Sequence, residues 1–94
     1  MAQNTTVAVA SNTWTILTDS NITSATFQNI GTNFVLIKAT VGTTAPTDFT
    51  GGVRYNPGQG ERNVSLTDLF PGLSGGNRIW AYAPDGSAVV ISHA

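Results

Sequence analysis

The chain has 94 residues, 40% of them hydrophobic and only 10% charged, with a formal net charge of −1 and no cysteine. That length suits one domain with a single core, burying roughly 60–65% of the surface its unfolded chain exposes. Lys38, Arg54, Arg62 and Arg78 lie far apart in sequence among five acids, which argues against a basic stripe that tracks nucleic-acid phosphates, and the lack of cysteine excludes a disulfide framework or a thiolate metal site.

Residues 1–5 lack the basic and then apolar segments of a secretory signal, and no apolar run approaches the roughly 20 residues that span a bilayer. The expectation is synthesis in a cytoplasm, with no membrane partner. To about Thr6 the chain has little apolar pattern of its own and reads as a short flexible N-terminal arm that orders on a partner, with Thr5 and Thr6 as contact residues. Residues 6–10 (Thr-Val-Ala-Val-Ala) and 13–17 (Thr-Trp-Thr-Ile-Leu) then alternate as two short strands or one bent strand. Trp14 and Ile16 share a face at period two and are expected in the core, where truncating a fully buried Trp14 to alanine costs about 3–5 kcal/mol.

Residues 24–29 and 33–40 flank Ile30-Gly31-Thr32 at hairpin spacing, and the unbroken Phe34-Val35-Leu36-Ile37 run implies burial on both faces. Residues 41–51, rich in Gly, Thr and Pro, form an extended loop; a long loop in a small domain is often functional, so Thr43, Thr44, Pro46 and Phe49 are candidate partner-binding residues. A short strand at residues 52–56 and another about Arg62-Asn63-Val64 flank Pro57-Gly58-Gln59-Gly60 as a second hairpin. Ser65-Leu66-Thr67-Asp68 resembles a capping box, predicting one helical turn that Pro71-Gly72 stops.

Residues 78–83 and 87–93 are expected to form a third hairpin about Pro84-Asp85-Gly86. Val90 points away from Val89 and Ile91, toward a second sheet or a neighbouring subunit, so the last strand is expected to lie inside a sheet or under an oligomer interface. His93 is then a packing or hydrogen-bonding residue beside that interface. The sum is an all-β single domain over residues 1–94: a small sandwich or jelly-roll-like barrel of about eight short strands and one helical turn. Its expected core is Trp14, Ile16, Phe27, Val35, Ile37, Leu66, Phe70, Ile79, Ala81, Val89 and Ile91.

Catalytic chemistry is not expected. His93 is the only histidine and stands beside the last residue, a poor base for a nucleophilic triad; catalytic zinc needs three protein ligands, so no metal is expected either. The carboxylates fall mainly in turns or beside the helical cap, and the Gly-rich stretches lack the Lys-Ser/Thr and long helix that make a phosphate cradle, so no cofactor is implied. Tyr55, Trp80 and Tyr82 are stacking side chains suited to sugars or bases, although Trp80, central in its strand, is assigned to the core.

Gln28-Asn29-x-Gly31, Ala45-Pro46-Thr47, Leu69-Phe70-Pro71-Gly72, Arg78-Ile79-Trp80-Ala81 and Val90-Ile91-Ser92-His93-Ala94, in that order, resemble the small, Thr/Gly-rich, cysteine-free virion structural proteins of tailed bacteriophages. Within that group the chain is most similar to capsid decoration, or cement, proteins. The resemblance implies a non-enzymatic virion protein that binds the phage capsid surface and bridges or stabilises neighbouring subunits. It also implies the major capsid protein or another virion protein as partner, and a homo-oligomer, a trimer in particular. The alternative is a tail or baseplate attachment module that binds a receptor or carbohydrate.

Overall fold

The structure, a computed structural model, describes residues 2–94. The alternating segments form eight strands: β1 (Gln3–Val9), β2 (Thr15–Ile16), β3 (Ser24–Asn29), β4 (Val35–Thr40), β5 (Val53–Tyr55), β6 (Gly60–Ser65), β7 (Arg78–Tyr82) and β8 (Ser87–His93). The single helical turn α1 (Leu66–Leu69) follows β6. Ser65 caps it as the sequence implies: its hydroxyl accepts from the Asp68 amide at 3.1 Å, and the Phe70 amide closes the turn on the Leu66 carbonyl at 2.9 Å.

Two antiparallel four-stranded sheets result, the first in the order β1-β8-β3-β6 and the second β2-β7-β4-β5. The pairs β1–β8, β2–β7, β3–β6 and β4–β5 are nested, first with last and inward from there, and β3–β8 and β4–β7 join them into sheets. This is the winding of a jelly roll, one long hairpin of four strand pairs rolled on itself.

The topology corrects all three hairpins expected from turn chemistry. The turns at residues 30–34, 56–59 and 83–86 each join a strand of one sheet to a strand of the other. Gly, Pro and Asn-rich segments specify that the chain reverses; they do not specify which strand supplies the hydrogen bonds afterwards. The one consecutive pair that does share a ladder, β4–β5, is joined by the long loop at residues 41–52.

The flexible arm is also corrected. From Gln3 onward the N-terminus is strand, paired with β8 through seven residues from Gln3↔His93 to Val9↔Ser87, while Met1 lies outside the described residues. Gln3 fixes the end of β1. Its Nε2 donates to the Leu17 carbonyl at 3.0 Å, and its Oε1 accepts from the Asp19 amide at 3.0 Å and lies 2.7 Å from His93 Nε2. β8 is internal to its sheet, between β1 and β3.

Between the sheets Phe27, Val35, Ile37, Leu66, Ile79, Ala81, Val89 and Ile91 are buried, joined by Val9, Leu17, Ile22 and Tyr55. Three expected core residues, Trp14, Ile16 and Phe70, are only half-buried. Ile16 pairs with Trp80, and Thr15 with the buried Ala81; Ile16 and, at period two, Trp14 therefore lie on the outer face of the second sheet. Phe70, at the end of α1, packs against the margin of the core.

Buried Asn29 ties one end of the sandwich together. Its amide donates to the carbonyls of Asn33 and Tyr55 at 2.8 and 3.0 Å, and its oxygen accepts from the Gly31 amide and the Ser87 hydroxyl at 3.1 and 2.9 Å. Gly31 must be glycine for this approach, since a Cβ there would stand 2.0 Å from the Ser87 hydroxyl and 2.7 Å from the Ala88 amide.

Candidate protein-binding surface

The outer face of the second sheet follows from its register. Leu36, paired with Tyr82 and Arg54, and Lys38, paired with Trp80, point away from the core, as do Ile16 and Trp14. An outer face of this composition is unusual, since an antiparallel sheet commonly turns polar side chains to water. Trp80 is buried as the sequence implies, only 6% exposed, but its register places it on this face and not in the cluster between the sheets; its indole Nε1 donates to the Thr40 hydroxyl at 2.8 Å.

The loop at residues 41–52 lies against this face and is tied down at both ends. At its start the Thr40 hydroxyl, already accepting from Trp80, donates to the Gly42 carbonyl at 2.7 Å, and the Gly42 amide donates to Asn77 Oδ1 at 2.9 Å. At its end Lys38 Nζ donates to Asp48 Oδ1 at 3.0 Å, and the Gly52 amide donates to the Phe49 carbonyl at 3.0 Å. The Lys38 hydrogen bond and charge hold the Asp48 carboxyl below its ordinary value.

Phe49 makes the remaining attachment. Its ring stands edge-on to Tyr82, centroids 4.7 Å apart, and 5.9 Å from Trp14; Trp14 and Tyr82 are 5.3 Å apart. Three rings thus form a cluster on the outside of the sheet, with the Tyr82 hydroxyl donating to Asn12 Oδ1 at 3.1 Å. Phe49 remains 52% exposed. Among the described residues the exposed large hydrophobics are Ile30, Val41, Phe49 and Val53, and the last three lie in or beside this one loop. Beside it a groove of about 450 Å³ runs between Lys38, Ala39, Thr50 and Gly51 on one side and Leu69, Phe70, Pro71, Gly72 and Leu73 on the other.

The expected contact residues separate into two groups. Thr43, Thr44, Pro46 and Phe49 share the loop, all exposed except the half-buried Pro46. Thr5, Thr6, Val90 and His93 belong to the first sheet. Thr6 faces Val90 across β1 and β8 on its outer surface, Thr5 pairs with Ile91 and points the other way, and His93 is buried at the end of β8 with Asp19 Oδ1 3.4 Å from its Nε2. Sequence reasoning missed Trp14, Leu36, Val41 and Val53 on the loop side. The available signal was the lone Phe49 in a Thr/Gly/Pro loop, which asks for an aromatic surface to rest on.

Chemically the surface is largely apolar and aromatic, with two charged features: the Lys38–Asp48 ion pair, and exposed Arg54, which stands opposite Leu36 with its guanidinium 4.0 Å over the Phe34 ring. Among the described residues no three His, Asp or Glu side chains gather as a cation site, and no helix is long and apolar enough to cross a membrane. Comparison of the chain with protein-family models, with curated proteins and with solved structures finds no match.

Proposed function

We propose that the protein is a non-enzymatic structural protein of a virion, which docks on the capsid surface through the β4–β5 loop and the aromatic face behind it, stabilising neighbouring subunits. The observation that carries the reading is the concentration of exposed Val41, Phe49 and Val53 on a single pinned loop backed by Trp14 and Tyr82. Aromatic side chains held at low conformational cost within a polar rim, here Thr43, Thr44 and the Lys38–Asp48 pair, are the composition of protein-binding surfaces. The jelly roll suits this role, being common to capsid and lectin domains, but a fold by itself names no activity. On this reading the partner is the major capsid protein or another virion protein, and the chain is made in the host cytoplasm.

Quantitative mass spectrometry of particles purified from the source culture tests it. The chain is expected at a fixed stoichiometry to the main shell protein, with occupancy falling when Phe49→Ala replaces the wild type. Particles of full composition without this chain would overturn the reading.

The cluster of Trp14, Phe49 and Tyr82 also favours a second reading, an attachment module that stacks a sugar ring on exposed aromatic faces. A glycan array probed with wild type and Phe49→Ala distinguishes the two, since only the second reading expects signal that the substitution removes.

A further inference from the structure

Each sheet has two edges, and three of the four are blunted. β2 has only two residues; β5 has three, with Arg54 in the middle; β6 carries Glu61 and Arg62, a register shift against β3, and Asn63 at φ 45°. Short length, charge and bulges are the devices by which sheets avoid joining other sheets. β1 has none of them. It is seven residues long, pairs with β8 without a register shift, and has no strand on its other side; residues 2–12 contain no charge and no proline. Thr5, Thr6 and Ala8 are exposed along it, with Val7 half-buried.

We infer that β1 is an interface and that its occupant is β1 of a second copy, paired antiparallel about a twofold axis through Thr6. The strand Gln-Asn-Thr-Thr-Val-Ala-Val is suited to this. With Thr6 opposite its own copy, Thr5 meets Val7, Asn4 meets Ala8 and Gln3 meets Val9, so all seven residues of the strand are used. Paired residues share a face, and this register sets the inner-face residues Gln3, Thr5, Val7 and Val9 of the two copies against one another, with both sandwich cores on the same side. Thr5 and Val7, incompletely covered at the margin of one sandwich, gain cover from each other. The two first sheets become one continuous eight-stranded sheet, closed by symmetry so that no further edge of this kind is left. The aromatic loop is on the other sheet and stays free, so this inference and the proposed function stand or fall separately.

A seven-residue edge pair buries less than a standard interface, which makes the dimer a weak one, visible by sedimentation between about 10 µM and about 1 mM protein. Over that range the wild-type mass is expected to rise from 9.8 kDa toward twice that value. Thr6 is exposed, so Thr6→Lys and Thr6→Glu leave the monomer folded, as a matching melting temperature verifies. Each places two like charges face to face on the twofold axis and is expected to weaken dimerisation about fivefold or more at low ionic strength. Mixing the two variants sets Lys against Glu and is expected to restore the dimer. A wild type that stays monomeric, a trimer, a dimer indifferent to both substitutions, or a mixture that fails to recover would each overturn the inference.

Discussion

The outer faces of the two sheets share one core and are built from different materials. On the first sheet Thr6, Val90 and Gln28 form a cross-strand row, and the neighbouring residues are Asn4, Thr26 and Ser92: short, uncharged and polar, with Val90 the one larger apolar side chain among them. On the second, the corresponding rows carry Trp14, Tyr82 and Leu36, then Ile16, Trp80 and Lys38. The first face satisfies water with hydroxyls and amides; the second holds down a loop with rings. A sheet thus specifies one face through the core it must cover, and leaves the other open to be spent on stability or on recognition.

If the second face contributes to stability and the first does not, truncations on the two will differ most at Trp80 and Val90. Trp80→Ala removes a nearly buried ring and its bond to Thr40, and is expected to cost about 3–5 kcal/mol by denaturant unfolding. Val90→Ala, at a half-exposed position, is expected to cost about 1 kcal/mol or less. Similar costs would erase the contrast.

Alkaline titration sharpens the comparison where the sheets meet. Tyr55 ends β5, stands edge-on to Phe27 of the opposite sheet at 5.0 Å, and donates its hydroxyl to Glu61 of β6 at 3.1 Å. Burial, and then the Glu61 charge and hydrogen bond, raise its pKa from 10.0 to about 12. Because the folded value is the higher, the stability tied to the neutral phenol is fully present below pH 10 and is lost as pH rises toward about 12. Urea midpoints of wild type are expected to fall through that window, and Tyr55→Phe to flatten the decline. Absorbance titration of Tyr82→Phe, which leaves Tyr55 as the sole tyrosine, locates the ionisation directly.

Smaller effects come from the ring cluster. Trp14→Ala is expected to cost about 2 kcal/mol, below the figure for a fully buried tryptophan, because the side chain stands outside the core and is half-buried. A loss near the fully buried value would show that the loop covers Trp14 more completely than its exposure indicates. Phe49→Ala has the smallest effect, and a double-mutant cycle with Tyr82→Ala is expected to give a coupling of about 0.5–1.5 kcal/mol. Zero coupling would mean that the loop is held by its hydrogen bonds alone.

How far these features were legible differs between strands and faces. Residues 24–29 read as β3 to the residue, and Ser65 announced its helical turn, because alternation and capping are local properties of the chain. Trp14 and Ile16 were correctly given a common face, but period two cannot say which face is the inner one; that choice depends on Thr15 of β2 meeting Ala81 of β7, more than sixty residues along the chain. The segment at residues 84–86 looked like a hairpin turn and is a bend between layers, because the partners of β8 are β1 and β3 and not β7 across the turn. The binding surface was half visible. Phe49 stood out within its loop, whereas the rings beneath it come from β7 and from the segment leading into β2, and only the rolled topology brings them together.

The nesting of strand pairs has a consequence in time. Only β4 and β5 pair with a neighbour in sequence, and even they must first close a loop at residues 41–52; every pair further out encloses the ones before it, ending with Gln3 beside His93. Each enclosure spends loop entropy before its hydrogen bonds repay it, so the chain is expected to fold in milliseconds to seconds despite its small size. In stopped-flow experiments, substitutions at Val35 and Tyr55 should slow folding while those at Val7 mainly hasten unfolding, making β1 the last strand to arrive and the first to leave.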